Sequence, residues 1–185
     1  TKQLIDNKSL ADLKIKCIIL KHNNIRERMT YAEELQFLGE HESRNEFLAR
    51  LLMHLPGNTL CLYQLVEKHG KPLYEAAKKS QKEGFFDDKL RKIFFIYGNT
   101  STTEREEIRS IVKNETNSIT IASYGTFSTG INIRNIHNIV LASPSKSRIR
   151  VLQSIGRGLR QGENKNSVLI FDIADDMTFR NQPNF

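Results

Sequence analysis

Six short runs in this chain are apolar on consecutive positions rather than alternate ones: Ile15–Leu20, Thr59–Tyr63, Ile93–Tyr97, Ile119–Ser123, Ile139–Ala142 and Val168–Ile173. A strand with one face in water alternates apolar and polar residues, so runs of this kind predict strands covered on both faces. Helical patterns separate them. Glu42–His54 places Phe47, Leu48, Leu51 and Leu52 at helical spacing, and Pro56-Gly57-Asn58 stops it. His69 to Lys82 reads as a helix with Leu73, Ala76 and Ala77 facing inward, and Ser101-x-x-Glu104 is a capping box ahead of Ile108, Ile111 and Val112. Ser147 opens a further helix, from Arg148 to about Ile155. Strand and helix in alternation predict an α/β fold, a parallel sheet with helices on both faces.

The first 40 residues differ, being charged and helical over Tyr31–Leu38 around the one strand candidate Ile15–Leu20. They read as a mainly helical lead-in segment (1–40) feeding an α/β domain (41–185). At 185 residues and 38% hydrophobic content the chain can build one good-sized core. No apolar run approaches the roughly 18 residues of a membrane span. Thr1 in place of an initiator Met suggests a piece of a longer protein. Cys17 and Cys61 form no C-x-x-C and are expected as small buried hydrophobes on strands. The five histidines share no ligand spacing with them, so no metal site is expected, and the setting reads as reduced and cytoplasmic.

The net charge of +7 is concentrated. From Asn117 to Gly162 there is no Asp or Glu, while the same segment holds Arg134, Lys146, Arg148, Arg150, Arg157 and Arg160. Ordinary surfaces mix both signs, so an acid-free basic stretch points to a polyanion: nucleic-acid phosphates, a nucleotide triphosphate, or both.

Several phosphate and hydrolytic motifs are excluded. No glycine begins a G-x-x-x-x-G-K-[ST] loop. Gly156-Arg-Gly158-Leu-Arg-Gln-Gly162 follows a helical segment instead of a strand and carries two arginines, which rules out a dinucleotide fingerprint. There is no G-x-S-x-G elbow, and Asp172, Asp175 and Asp176 read as a strand end and a solvated turn. Two features remain. Ala122-Ser-Tyr-Gly-Thr-Phe-Ser-Thr-Gly130-Ile-Asn132 puts small hydroxylated residues at the C-terminal end of a strand, where hydroxyls and amides can meet phosphate oxygens. Gln153-Ser-Ile-Gly156-Arg157-Gly-Leu-Arg160 carries arginines three apart, on one side of a helix or tight turn, as a doubly charged phosphoryl group requires.

Ser123…Gly130-Ile-Asn132 and Gln153-x-x-Gly156-Arg157-x-x-Arg160 resemble motifs V and VI of superfamily 2 helicases, in the correct order. Thr59–Gln64 resembles motif IV, and Ile93–Gly98 followed by Arg105 resembles a further block of the second RecA-like domain. Asn132 stands where most members have Asp, and Tyr97 where they have His before Gly98. The resemblance implies a RecA-like C-terminal motor domain of an ATP-dependent DNA helicase or translocase, of the type that unwinds branched DNA in recombination and repair. Its ATP and Mg²⁺ would be held only in the full-length enzyme, between this domain and a first motor domain in the same polypeptide, so the fragment alone should be inactive. It further implies that Arg157 and Arg160 are arginine fingers oriented by Gln153, that Gly130, Asn132 and Gly156 border the nucleotide, and that Gln64, Ser123 and Thr126 hold the DNA backbone. The residues alone leave two rivals open. One is a standalone nucleic-acid-binding module; the other is a small-molecule phosphotransferase, which needs an acid or base in its own pocket.

Overall fold

All six apolar runs form strands in the computed structural model, which describes residues 11–23, 25, 27–83, 90–130, 133, 135–159 and 167–178. They are β1 (Asp12–Lys21), β2 (Thr59–Tyr63), β3 (Lys92–Ile96), β4 (Ser118–Ser123), β5 (Asn138–Leu141) and β6 (Ser167–Asp176). They make one sheet in the order β1-β6-β5-β2-β4-β3, and every pairing is parallel. The helices are α1 (Tyr31–Glu40), α2 (Glu42–His54), α3 (Lys71–Lys82), α4 (Thr102–Asn114), α5 (Tyr124–Gly130) and α6 (Arg148–Gly158). The expected start of α3 at His69 is instead a π-helical turn, Val66–Gly70, in which the amides of His69 and Gly70 both bond to the Leu65 carbonyl. That extra residue per turn aims His69 into the interior.

The sheet has a core on each face. Leu60 and Leu62 of β2 pack with Ile108 and Val112 of α4, Tyr124 and Phe127 of α5, and Val151, Ile155 and Leu159 of α6 and its end. Cys61 and Tyr63, pointing the other way, pack with Leu48, Ala49 and Leu52 of α2 and Leu73 and Ala77 of α3. Each of these large side chains removed from water contributes about 1.5–3 kcal/mol.

The N-terminal segment is less helical than expected. Its described part splits between the ten-residue strand β1, paired along its whole length with β6, and the ten-residue helix α1. Thr30 caps α1 through a reciprocal box: Glu33 N donates to Thr30 Oγ1, and Thr30 N donates to Glu33 Oε2 at 2.7 Å. The expectation that Ile15–Leu20 is covered on both faces fails on one side. Ile15 and Ile19 are 62% and 65% exposed, and Cys17 between them is exposed where a buried cysteine was expected. The cause is position: β1 is the sheet edge, and the α4–α6 layer reaches Ala11 and Leu13 at its foot but no further along it.

Two polar side chains join loops that the apolar core cannot. Arg91 donates to the carbonyls of Leu52, Met53, Leu55 and Gly57 at 2.7–3.2 Å, covering the C-terminal end of α2. Burial pushes its pKa down to about 10, so it keeps its charge at neutral pH. Asn58 donates to the Glu115 carbonyl and accepts from Ser118 N, tying the end of α4 to the start of β4. Arg91→Ala leaves that cluster of carbonyls without donors and should cost about 2–4 kcal/mol. The measurement is urea unfolding, with a lower midpoint at an unchanged slope. An Ala variant as stable as the parent would contradict this role.

Candidate functional site

In an all-parallel sheet every strand ends at the same edge, and the loops leaving that edge form the natural ligand crevice. Here they enclose a cleft of about 510 Å³ lined by Gln64, Val66, Gly98, Arg105, Ser123, Tyr124, Gly125, Thr126 and Arg150. Gln64 directly follows β2, Gly98 lies two residues past β3, Ser123 ends β4, and Arg150 sits in the first turn of α6. The three residues expected to hold a nucleic-acid backbone, Gln64, Ser123 and Thr126, are therefore brought together. Arg105, noted only within a resembling block, and Arg150, noted only within the basic stretch, join them. Nothing in local spacing could have placed those two; the strand order does.

Ser123 Oγ and Thr126 Oγ1 lie 2.7 Å apart, and Ser123 Oγ also accepts from Thr126 N. Whichever hydroxyl donates within the pair, the other keeps a hydrogen to offer outward. Arg105 Nη2 donates to the carbonyls of Tyr97 and Gly98 at 3.2 and 2.8 Å, which fixes the guanidinium in the wall. Arg105 Nε and Gln64 Oε1 are shut off from solvent and lack a hydrogen-bond partner among the described residues. Each such atom costs about 1–3 kcal/mol until something bonds to it. Turning the Gln64 amide over presents its NH₂ to the same place. A Cβ built on Gly98 or Gly125 would meet nothing within 4 Å, so the glycines lower the cleft walls and no core packing requires them. Among the described residues the lining contains no carboxylate.

Gln153, Gly156 and Arg157 lie on α6, with Gln153 and Gly156 exposed and Arg157 half-buried. α6 runs three residues past the expected Ile155, to Gly158. Arg157 is seven residues beyond Arg150, about 10 Å along the axis, so one rigid helix serves the cleft with its first turn and the phosphate-type motif with its last. The two glycines of Gly156-Arg-Gly158 differ. A Cβ on Gly156 would meet open space, whereas one on Gly158 would run into Ile139 of β5. Gly158 lets α6 lie close on the sheet, and Gly156 leaves its outer side low beside Arg157. Gly130 ends α5, which packs beside α6. Asn132 and Arg160 lie outside the described residues.

Beneath the cleft runs a buried polar chain that sequence reasoning missed. Asp175, expected in a solvated turn, is buried and takes both oxygens to Arg44, from Nε and Nη2 at 2.8 Å each; His22 Nε2 lies 2.8 Å from Oδ1. Arg44 Nη2 also donates to the Ala142 carbonyl at 2.7 Å, and Nη1 faces His69 Nε2. Nε2 thus carries the lone pair, and Nδ1–H donates to Ser143 Oγ at 2.7 Å. Ser143 Oγ in turn accepts from Gln64 N at 3.1 Å. The chain links the end of β6 to the floor of the cleft. Arg44 and Asp175 are 131 residues apart, so no local pattern announces the pair.

Comparison with known proteins follows the same geometry. Residues 43–162 match the family described as helicase conserved C-terminal domain. The ATP-dependent DNA helicase uvsW of Enterobacteria phage T4 is 31% identical over 182 residues, 95% of this chain and 34% of that protein. The crystal structure of T4 UvsW superposes with a TM-score of 0.71 at 32% identity, covering 91% of this chain and 33% of that one. A DEAD box protein from Methanococcus jannaschii shares the fold, with a TM-score of 0.56 at 18% identity over 91% of this chain and 37% of that one. The chain spans about a third of the phage relative's length.

Burial, with the Arg44 charge adding to it, pushes His69 from its ordinary 6.5 down to about 3. Between those two values the unfolded chain binds a proton that the folded one refuses. The stabilisation is therefore complete above about pH 6.5 and is lost as pH falls toward 3, at up to about 1.4 kcal/mol per pH unit. His69→Asn keeps a donor for Ser143 and removes the titration, so its stability should fall less steeply over that range in urea titrations at fixed pH. Parallel pH profiles for parent and variant would contradict a buried neutral His69.

Proposed function

The chain belongs to the helicase conserved C-terminal domain family, and from that premise we propose that it is the second motor domain of an ATP-dependent DNA helicase or translocase, acting with a first motor domain in the same polypeptide. The observation that carries the reading is the convergence of Gln64, Ser123 and Thr126 with Arg105 and Arg150 in one acid-free cleft that holds two unpaired buried polar atoms. Hydroxyls, an amide and two guanidiniums without an acid suit a phosphodiester backbone, gripped without regard to sequence. A phosphotransferase acting on its own small substrate would need an acid or base in the cleft, and among the described residues the lining holds no carboxylate or histidine.

ATP fits the last turn of α6: Arg157 stands beside the open Gly156, with Gln153 one turn earlier on an exposed face. In the intact enzyme Arg157 and Arg160 would cross the interdomain gap to the γ-phosphate, Gln153 would orient them, and Gly130, Asn132 and Gly156 would border the nucleotide. Mg²⁺ would be held with the triphosphate by the first motor domain. The guanidiniums would neutralise charge that grows as the phosphoryl group is transferred. Residues 1–40 would lead in from the first motor domain, and closure of the two domains on ATP would shift the strand held in the cleft. The enzyme's substrate would be branched DNA in recombination or repair. No helix among the described residues is long and apolar enough to cross a membrane.

Substitutions in the intact enzyme separate the proposed arginine fingers from the rest of the basic stretch. Arg160→Ala, and also Arg160→Lys, should lower DNA-stimulated ATPase by roughly two decades or more while ATP and DNA binding change little. Arg148→Ala should leave ATPase near normal at saturating DNA; the reversed pattern would make the basic stretch a plain polyanion surface. Arg150→Ala should weaken single-stranded DNA binding and reduce the slope of log K against log salt by about one. An unchanged slope would remove Arg150 from the backbone contact.

A further inference from the structure

A second groove is tied to the cleft through two consecutive residues after β5. Ser143, which holds Gln64 N, is followed by Pro144, whose carbonyl accepts from Tyr31 OH at 3.2 Å. Around Tyr31 lies a groove of about 280 Å³, lined by Arg28, Met29, Thr30, Tyr31 and Lys146. Ser143 and Pro144 thus hold one residue of the cleft and one of the groove. Tyr31 is held in place by its hydroxyl, which also lies 3.4 Å from Lys146 N, and Lys146 Nζ stands 4.3 Å from the ring centroid. Thr30 Oγ1 and the Glu33 carboxylate are engaged with each other and with the amides of Glu33 and Thr30, so neither side chain is left to a ligand. The groove offers a fixed aromatic face, a thioether, and two cations on flexible stems.

That set recognises a flat aromatic group carrying an anion and has no acceptors arranged to read base edges. Lys146 covers the ring face with its ammonium, and its four-carbon stem would let that ammonium move from ring to phosphate when a base replaces it. We propose that Tyr31, with Lys146 and Arg28, stacks one unpaired base of the DNA strand whose backbone occupies the Gln64–Ser123–Thr126 cleft. The proposal rests on the strand-binding reading of that cleft. Arg28, Met29 and Tyr31 lie outside the family match at 43–162 and Lys146 lies within it, so the contact joins the lead-in segment to the shared domain.

The test uses the intact protein and single-stranded oligonucleotides carrying one 5-iodouracil at successive positions. Photocrosslinking should map one position to Tyr31. By anisotropy, Tyr31→Leu should weaken binding roughly 5- to 100-fold, while Tyr31→Phe, which keeps the ring and loses the hydroxyl, should stay within about two-fold. An abasic site at the crosslinking position should cost the parent the same factor and cost Tyr31→Leu nothing further. A purely structural role for Tyr31 would not produce that equivalence. If Leu and Phe weaken binding equally, or if Tyr31→Leu is silent while Arg150→Ala weakens it, the stacking site is overturned and the strand-binding cleft stands. If no cleft variant changes DNA affinity, the cleft reading itself fails. Crosslinking of Tyr31 to free 5-iododeoxyuridine monophosphate that the oligonucleotide does not displace would assign the groove to a free nucleotide, and would also overturn the proposal.

Discussion

The guanidinium of Arg44 holds together parts of the chain that share no local contact. It fills both oxygens of Asp175 at the end of β6, caps the Ala142 carbonyl just past β5, and faces His69 in the π-helical turn. Such a buried pair is a poor source of net stability, because desolvating both charges costs about what the pairing returns. Losing either partner alone is expensive, and the fork geometry admits few arrangements. Its effect is therefore positional: it sets where the strand ends lie relative to one another. Gln64, Ser143 and Pro144 take their places from that arrangement, and the cleft and the neighbouring groove take theirs from those residues.

The parallel sheet supplies the rest. With every strand pointing the same way, the small and hydroxylated residues after β2, β3 and β4 gather at one edge, and α6 returns across the sheet from that edge. The close approach at Gly158 presses α6 onto Ile139, so Arg150 and Arg157 move as one body. If the proposed function holds, a change at a nucleotide on the last turn of α6 would reach a strand held at its first turn without an intervening hinge.

Much of this was legible in the sequence where the signal is local. Consecutive apolar positions mark all six strands, the hydroxylated stretch with Ser123 and Thr126 is visible at a strand end, and Gln64 is reached through its resemblance to motif IV. Thr30-x-x-Glu33 carries the same local pattern as Ser101-x-x-Glu104 and caps α1. What could not be read depends on residues far apart in the chain or on which strand lies at the edge. Cys17 and Ile15 look buried in their own run and are exposed because β1 ends the sheet. Asp175 looks solvated because its partners, Arg44 and His22, lie on other elements. Arg91 looks like one more surface cation and is instead the cap of α2, reached across 36 to 39 residues.

Two ligands at two ends of one helix is the central claim, and amide hydrogen exchange on the intact protein tests it most directly. Single-stranded DNA alone should protect the backbone around Gln64, Gly98 and Ser123–Thr126 and leave the last turn of α6 unchanged. Adding a non-hydrolysable ATP analogue should then protect that last turn around Gln153–Gly158. Protection of the last turn by DNA alone, or a cleft indifferent to DNA, would contradict the account.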